Sequence, residues 1–457
     1  MRSVLSELLI LLTLSATPAD AVAAALADLQ QVPAERRQQT RWVTLYNIAP
    51  ASRPTVAAAV SYALNSVSRA RNIARPTPVG SGDLLRIDLA DYADVKTQAG
   101  YQEVFQAWEK LADADPYFHL QTQVIDPTNG KLRTVTVRGG WTGLSNAESL
   151  SAATASAGPV LRADWFVCAT LAPPFYYAWL GVPAKEADFL GAVGADLPTI
   201  NKLAADSAAN LFHSDVTGKP RRVIYRPIPH GGLWITKDSL KDSADANPIR
   251  VPVDFQDVKL KFDATEVFYT LANGMWGTAI FDGKGNRLNA VDPKVATDTT
   301  APSGHQELVP FISCIRCHER QGRAGLQPFV DDQTQLPLPR SAYTQVERRI
   351  AELYNTPRLS KEMGRDRQDY ADAVMLAVGL DTKQAAECVA AVFDFHAYGQ
   401  VSLSTAAGEV GLDAKEFGRR IDGNPDPALL ALKAGRRVTR KTWESSFQEA
   451  ALLGAGK

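Results

Sequence analysis

Between residues 131 and 300 apolar side chains recur at every second position, and past residue 340 they recur at every third or fourth. This change of period constrains the fold more than any single residue does. Alternation gives a half-buried strand one apolar face, whereas the longer spacing gives a helix one apolar stripe. The stretches LRTVTVRGGW, RRVIYRPI, GGLWITK, VKLKFD, EVFYTL and WGTAIFD predict antiparallel strands, with FDGKGNRL as a turn. AKEADFLGAVG and LPTINKLAADSAANLF predict helices among them. Further on, YTQVERRIAELYN, RQDYADAVMLAVG, KQAAECVAAVFDFHAY, LSTAAGEVG, AKEFGRRID and KTWESSFQEAALLG predict helices alone. Before residue 130, a helix from Ala21 to Leu29, the strand TRWVTLYNI, a helix entered at Pro54, the strand in VGSGDLLRIDLADY and the helix YQEVFQAWEKLAD alternate. The expected class is α+β. It comprises a mixed α/β region at 22–130, an antiparallel sheet-rich α+β domain at 131–300, a connecting segment at 301–340 and an all-helical region at 341–457.

The 457 residues suffice for two or three domains, each with its own core. Hydrophobic residues at 45% and charged residues at 22% are a globular balance and exclude a disordered chain. Basic and acidic side chains number 49 and 50, which removes any long-range field that would recruit nucleic acid or an anionic membrane. The opening MRSVLSELLILLTLSATPADA has Arg2, an apolar run from Leu8 to Leu14 and the small-x-small site Ala19-Asp20-Ala21. It predicts a secretory signal over residues 1–21, against the alternative of a first amphipathic helix running on into AVAAALADLQQV. No segment reaches about 18 uninterrupted apolar residues. The expected mature chain is periplasmic or otherwise exported, without a membrane-spanning segment.

Cysteine and histidine are scarce, four and six residues, yet three of them fall within Cys314-Ile315-Arg316-Cys317-His318. C-x-x-C-H is the spacing of covalent haem attachment. Two thiols three positions apart on a helical turn can each add to one porphyrin vinyl group, and the next imidazole can bind the iron. Cys314 and Cys317 are thus the expected thioether anchors of one haem c, and His318 the expected axial ligand. A thioredoxin-like pair would need a leading strand within a βαβ unit, and only LVPFIS precedes the motif. A structural zinc site would need two further ligands, and Cys388 and His396 stand far along the chain. Cys168 and Cys388 sit among apolar neighbours and are expected to be buried free thiols, with a disulfide between them as the other reading.

The opposite face of the iron decides what such a haem does. Met363, beside Gly364, is the freest candidate for the sixth ligand, ahead of Met375 and Met275, which read as core or turn residues. His230 and His305 stand in loops, and either would serve as a distal acid or base if the iron site were open to peroxide. His396 lies in an amphipathic helix, and the carbonyl of Pro328 is a candidate acceptor for the second nitrogen of His318. Three functions follow: single-electron transfer, with a redox partner protein; a peroxidase-like enzyme; or a haem-based sensing module. Electron transfer is favoured over catalysis, because peroxidases with covalent haem commonly carry a second haem and C-x-x-C-H occurs once here.

The order of TRWVTLYNI, VLRADWFVCATLAPPFYYAWLGVP, RRVIYRPI, EVFYTLANGMWGTAIFDGKGNRL, ISCIRCH and VTRKTWESSF resembles the large monohaem c-type cytochrome proteins of planctomycete-type bacteria, over nearly the whole mature chain. The resemblance implies a secreted electron-transfer protein with a cytochrome c-like helical C-terminal region. One departure is Phe262-Asp263-Ala264-Thr265-Glu266, where relatives often carry His-Asp-Gly-Gly-Glu.

Overall fold

The computed structural model describes residues 17–94, 98–125, 132–138, 144–195, 208–211, 221–238, 262–293, 296–320 and 357–454. The chain is α+β. It forms two compact units, and neither is continuous in sequence. The first takes residues 1–64, 74–170 and 388–457, and the second takes 65–73 and 171–387. Regions drawn by element type, at 22–130, 131–300, 301–340 and 341–457, therefore cut across the units, because the last helices pack with the first elements.

In the first unit, α1 (Pro18–Leu29) starts at a capping box: Thr17 Oγ1 accepts from Asp20 N at 3.2 Å, and Asp20 Oδ2 accepts from Thr17 N at 2.7 Å. The helix runs through the small-x-small site at Ala19-Asp20-Ala21. Strand β1 (Thr40–Thr44) is buried along its length, as a central strand must be. Helix α2 (Arg53–Ser66) follows it, and then β2 (Thr77–Val79) and β3 (Leu84–Asp88). Next come α3 (Gln98–Ala114), the antiparallel pair β4 (His119–Ile125) and β5 (Leu132–Arg138), α4 (Leu144–Thr154), β6 (Val160–Arg162) and α5 (Ala163–Thr170). The four-stranded sheet has the order β2-β3-β1-β6, in which only β6 runs parallel to its neighbour.

The second unit opens with the short helices α6 (Phe175–Leu180) and α7 (Glu186–Ala192). Its core is an antiparallel meander of β7 (Ala208–Leu211), β8 (Arg221–Ile228), β9 (Gly231–Asp238), β10 (Ala264–Thr270) and β11 (Trp276–Asp282), in that spatial order. Alternation predicts β8 to β11 correctly. Ala208–Leu211 is a correction: the stretch read as helical ends in a strand, because pairing with β8 outweighs the helix preference of its alanines. VKLKFD and YTQVERRIAELYN fall wholly or mostly outside the described residues. The edge strand β11 is covered from one side by tyrosines: Tyr176 Oη accepts from Thr278 N at 2.9 Å, and Tyr177 Oη from Ile280 N at 3.3 Å. On one sheet face, Phe189 of α7 packs against Tyr269 and Phe281, while Glu186 pairs with Lys237. The other face carries the site.

After the one-turn helix α8 (Ile312–Ile315) and the long α9 (Pro357–Val378), α10 (Thr382–Tyr398) leads back into the first unit. There α11 (Leu403–Glu409) and α12 (Ala414–Arg420) are helices the period predicts, α13 (Pro427–Lys433) is one it does not mark, and α14 (Arg440–Gly454) is again predicted; the two-residue strands β12 (Gln400–Val401) and β13 (Val438–Thr439) pair with each other. Cys168 and Cys388 are thiols rather than a disulfide, as expected, but half-buried rather than buried. Among the described residues no helix is long and apolar enough to cross a membrane.

Candidate functional site

The segment leading to the cysteine motif is held before the motif begins. Val291 and Leu308 exchange backbone hydrogen bonds of 2.9 and 3.4 Å, and their side chains join Ile280 and Ala296 in a small core. Asp298 closes a turn by accepting from Thr300 N at 2.9 Å and Ala301 N at 3.1 Å. Its second oxygen accepts from Arg316 Nη1 at 3.3 Å, so the fully buried arginine between the two cysteines is tied to this turn. Phe311 enters α8 at φ 70° and ψ −63°, a γ-turn geometry that a side-chain-bearing residue adopts at a cost of roughly 1–3 kcal/mol. Its ring lies 4.9 Å from that of Tyr176, which fixes the entry.

Helix α8 continues into a single π-turn over Arg316–Arg320, a widening that recurs at functional sites. Cys314 is on the α-helical side of this junction, and Cys317 and His318 are on the wide turn. Cys314 is buried and its Sγ donates to Glu266 Oε1 at 3.6 Å, whereas Cys317 and His318 are half-buried. The His318 ring stands edge-on to Phe268 at 4.8 Å. Phe268 belongs to an aromatic row across the sheet: it faces Trp234 in register, Trp234 lies 4.7 Å from Tyr225, and Phe268 meets Trp276 at 5.8 Å. Tyr370 of α9 stacks on Trp276 at 4.2 Å, and Asp366 accepts from Trp234 Nε1 at 2.9 Å. Gly232 is required here, since a Cβ would fall 2.0 Å from Asp366 Oδ2.

Charge gathers at the same face. Arg221 binds Asp238 through Nε at 2.9 Å and Nη2 at 2.8 Å, and its Nη2 lies 3.7 Å from Glu266 Oε2. Burial opposes the charge on Arg221, but Asp238 and Glu266 outweigh it and raise its pKa. Burial raises the pKa of Glu266, with Arg221 acting the other way. The Cys314 thiol is pushed well up, first by burial and then by the Glu266 carboxylate. A thiol so held is protonated, the reverse of the activated thiolate a thioredoxin-like nucleophile needs. LVPFIS forms an isolated bridge at Leu308 rather than a leading strand. Among the described residues no three His, Cys, Asp or Glu side chains converge as a metal-binding group.

The donor set fits a porphyrin: Cys314, Cys317 and His318 would offer it two thiols and one imidazole from five consecutive positions, beside the Phe268 ring that His318 meets edge-on. Met363 is buried one turn before Asp366 and two before Tyr370, so it shares the α9 face that meets the aromatic row. Met375 is 49% exposed, and Met275 is fully buried in the β10–β11 turn. His230 and His305 are exposed in loops. His396 belongs to the first unit, between Asp164 and Glu444 at 3.2 and 2.9 Å. Pro328 lies outside the described residues. Sequence reading missed Arg221, Asp238, Glu266 and Asp298. For Arg221, Asp238 and Glu266 the available signal was charge at apolar-face positions of alternating strands, which identifies partners only once the register is known. No family model, no curated protein and no solved structure matches the chain.

Proposed function

We propose that the chain is an exported monohaem c-type cytochrome that passes single electrons to and from a redox partner protein. The observation that carries this reading is the turn bearing Cys314, Cys317 and His318 against the aromatic row of Phe268, Trp234 and Trp276. Cys314 and Cys317 would hold the haem as thioethers, and His318 would bind its iron. Haem, when bound, supplies a one-electron ferric/ferrous couple. The chain's own residues confine it: Arg316, held by Asp298, fixes the turn, and Phe268 limits rotation of the His318 ring. Met363, on the helix face that packs over the row, is the proposed sixth ligand. Near-neutral net charge gives the protein no general affinity for nucleic acid, and its docking surface is local.

The reading is tested by expressing the chain with the haem maturation machinery outside the cytoplasm. The expected product carries one haem that survives denaturation and shows a reduced α-band typical of two thioethers. C317A should shift that band to a single-thioether position, and M363A should abolish the thioether-to-iron charge-transfer band. A chain that emerges without covalent haem overturns the reading.

A further inference from the structure

Around the motif, three buried or mostly buried carboxylates pair with two guanidiniums: Asp238 and Glu266 with Arg221, and Asp298 with Arg316. The charges are not spread evenly. Arg316 pairs with Asp298, and Arg221 makes its two short hydrogen bonds to Asp238, with Glu266 its more distant contact at 3.7 Å. Glu266 is also the carboxylate that touches an anchor, with Oε1 at 3.6 Å from Cys314 Sγ. Only 13% of its side chain is exposed, so solvent screens it little. A strand that otherwise buries Phe268 and Thr270 on this face does not need a carboxylate there for packing.

We infer that Glu266 is the residue that sets the reduction potential of the haem, by holding negative charge against its first attachment point. The inference rests on the haem reading above. Reduction adds one electron to the ferric iron, supplied by a one-electron donor, and removes one positive charge from the iron. A carboxylate held at the Cys314 sulfur would therefore favour the ferric form and lower the potential. Arg221 works in the opposite sense, which makes the pair a two-way control. The sulfur that joins porphyrin to protein is the atom Glu266 touches, so the charge acts at the attachment itself rather than through bulk solvent.

The test is a potentiometric titration of the haem-loaded full chain, with mass and α-band confirming both thioethers in each variant. E266Q should raise the midpoint so that the reduced-to-oxidised ratio at a fixed ambient potential changes on the order of tenfold, about 59 mV for one electron. R221Q should lower the midpoint. A general loosening of the pocket would move both variants the same way, so opposite signs are the required result. Equal midpoints, or shifts of one sign, with both thioethers intact overturn the inference while leaving the haem reading standing. If E266Q fails to load haem, R221Q decides alone, and an unchanged or raised midpoint overturns the inference. Wild-type chain without covalent haem is the separate failure of the haem reading.

Discussion

The two units bury charge in different ways. In the first, Arg162 is fully buried, paired with Asp164 at 2.6 and 3.1 Å and with Glu409 at 2.7 Å, and its guanidinium lies 3.6 Å over the Tyr117 ring. Glu409 also accepts from Arg440 at 2.7 Å and Trp443 at 2.7 Å, and Asp164 accepts from Asn47 at 3.2 Å. Every carboxylate oxygen of Asp164 and Glu409 has a donor, so the network closes on itself. In the second unit the cluster stays open: Arg221 is divided between two carboxylates, and one of them faces a cysteine sulfur. A closed network fixes how sequence-distant elements meet, here β6, α5, α10, α11, α14 and the loop after β1 that carries Asn47. An open one leaves charge directed at whatever occupies the site.

Breaking the closed network should give the largest effect. R162A strands Asp164 and Glu409 without their shared counter-ion in a buried setting, and losing one partner of a buried pair costs roughly 3–5 kcal/mol. With two carboxylates exposed to that loss, the upper end, about 5 kcal/mol, is expected as a lower urea midpoint. Removing Glu266 should cost far less stability, since Arg221 keeps Asp238. If E266Q proved as destabilising as R162A by the same measurement, the contrast between closed and open clusters would fail.

A smaller effect belongs to Asp115, which is buried at the end of α3. Its Oδ1 accepts from Tyr117 N at 2.9 Å, while Oδ2 has no hydrogen-bond partner among the described residues. Burial pushes its pKa up to about 7, against an ordinary 3.8. The folded chain thus keeps a proton that the unfolded chain releases, and stability falls as pH rises from about 4 to about 7 and is flat above. Between pH 4 and 7 this is worth at most about 4 kcal/mol. D115N mimics the protonated acid, so urea titrations from pH 4 to 8 should show that decline in the wild type and lose it in the variant. Asp164, whose pKa Arg162 and His396 hold well below the ordinary range against burial, works the other way: its stabilisation is lost as pH falls through acid values. A wild-type profile without decline between pH 4 and 7 would mean that Asp115 is ionised and belongs to the closed network.

How much of this was legible depends on sequence separation. Strands β8 to β11 and helices α9 to α12 were readable because each is fixed by its own apolar period. Cys314, Cys317 and His318 stand out in the sequence because three scarce residues share five consecutive positions. Ala208–Leu211 was misread because its alanines favour a helix locally and only the partner strand decides otherwise. Arg221, Asp238 and Glu266 come together through the register of β8, β9 and β10, which spans 45 residues and is invisible without knowing which residues pair. The division into units is more remote still: Tyr46 Oη donates to the Glu409 carbonyl at 3.0 Å, and no local pattern couples residues 363 positions apart.

The smallest effect concerns the start of the first unit. Thr17 and Asp20 satisfy each other's backbone N–H groups at the entry to α1, and the following turns bury Ala21, Val22, Ala25 and Leu29. Replacing a capping threonine by alanine costs about 1 kcal/mol. T17A should lower the stability of a full-length chain by about that amount in urea unfolding. Export with cleavage after Ala21 would remove both capping residues together with buried Pro18 and Ala21, so a secreted chain should begin at Val22, by mass, and be less stable than the uncleaved form by more than the cap's about 1 kcal/mol. In that mature chain T17A can have no effect, because the residue is gone. Stability loss from T17A in the secreted protein would place the cleavage site before Thr17 or remove the leader from the account. Either result leaves the contrast between the two charge clusters intact, since the cap touches neither.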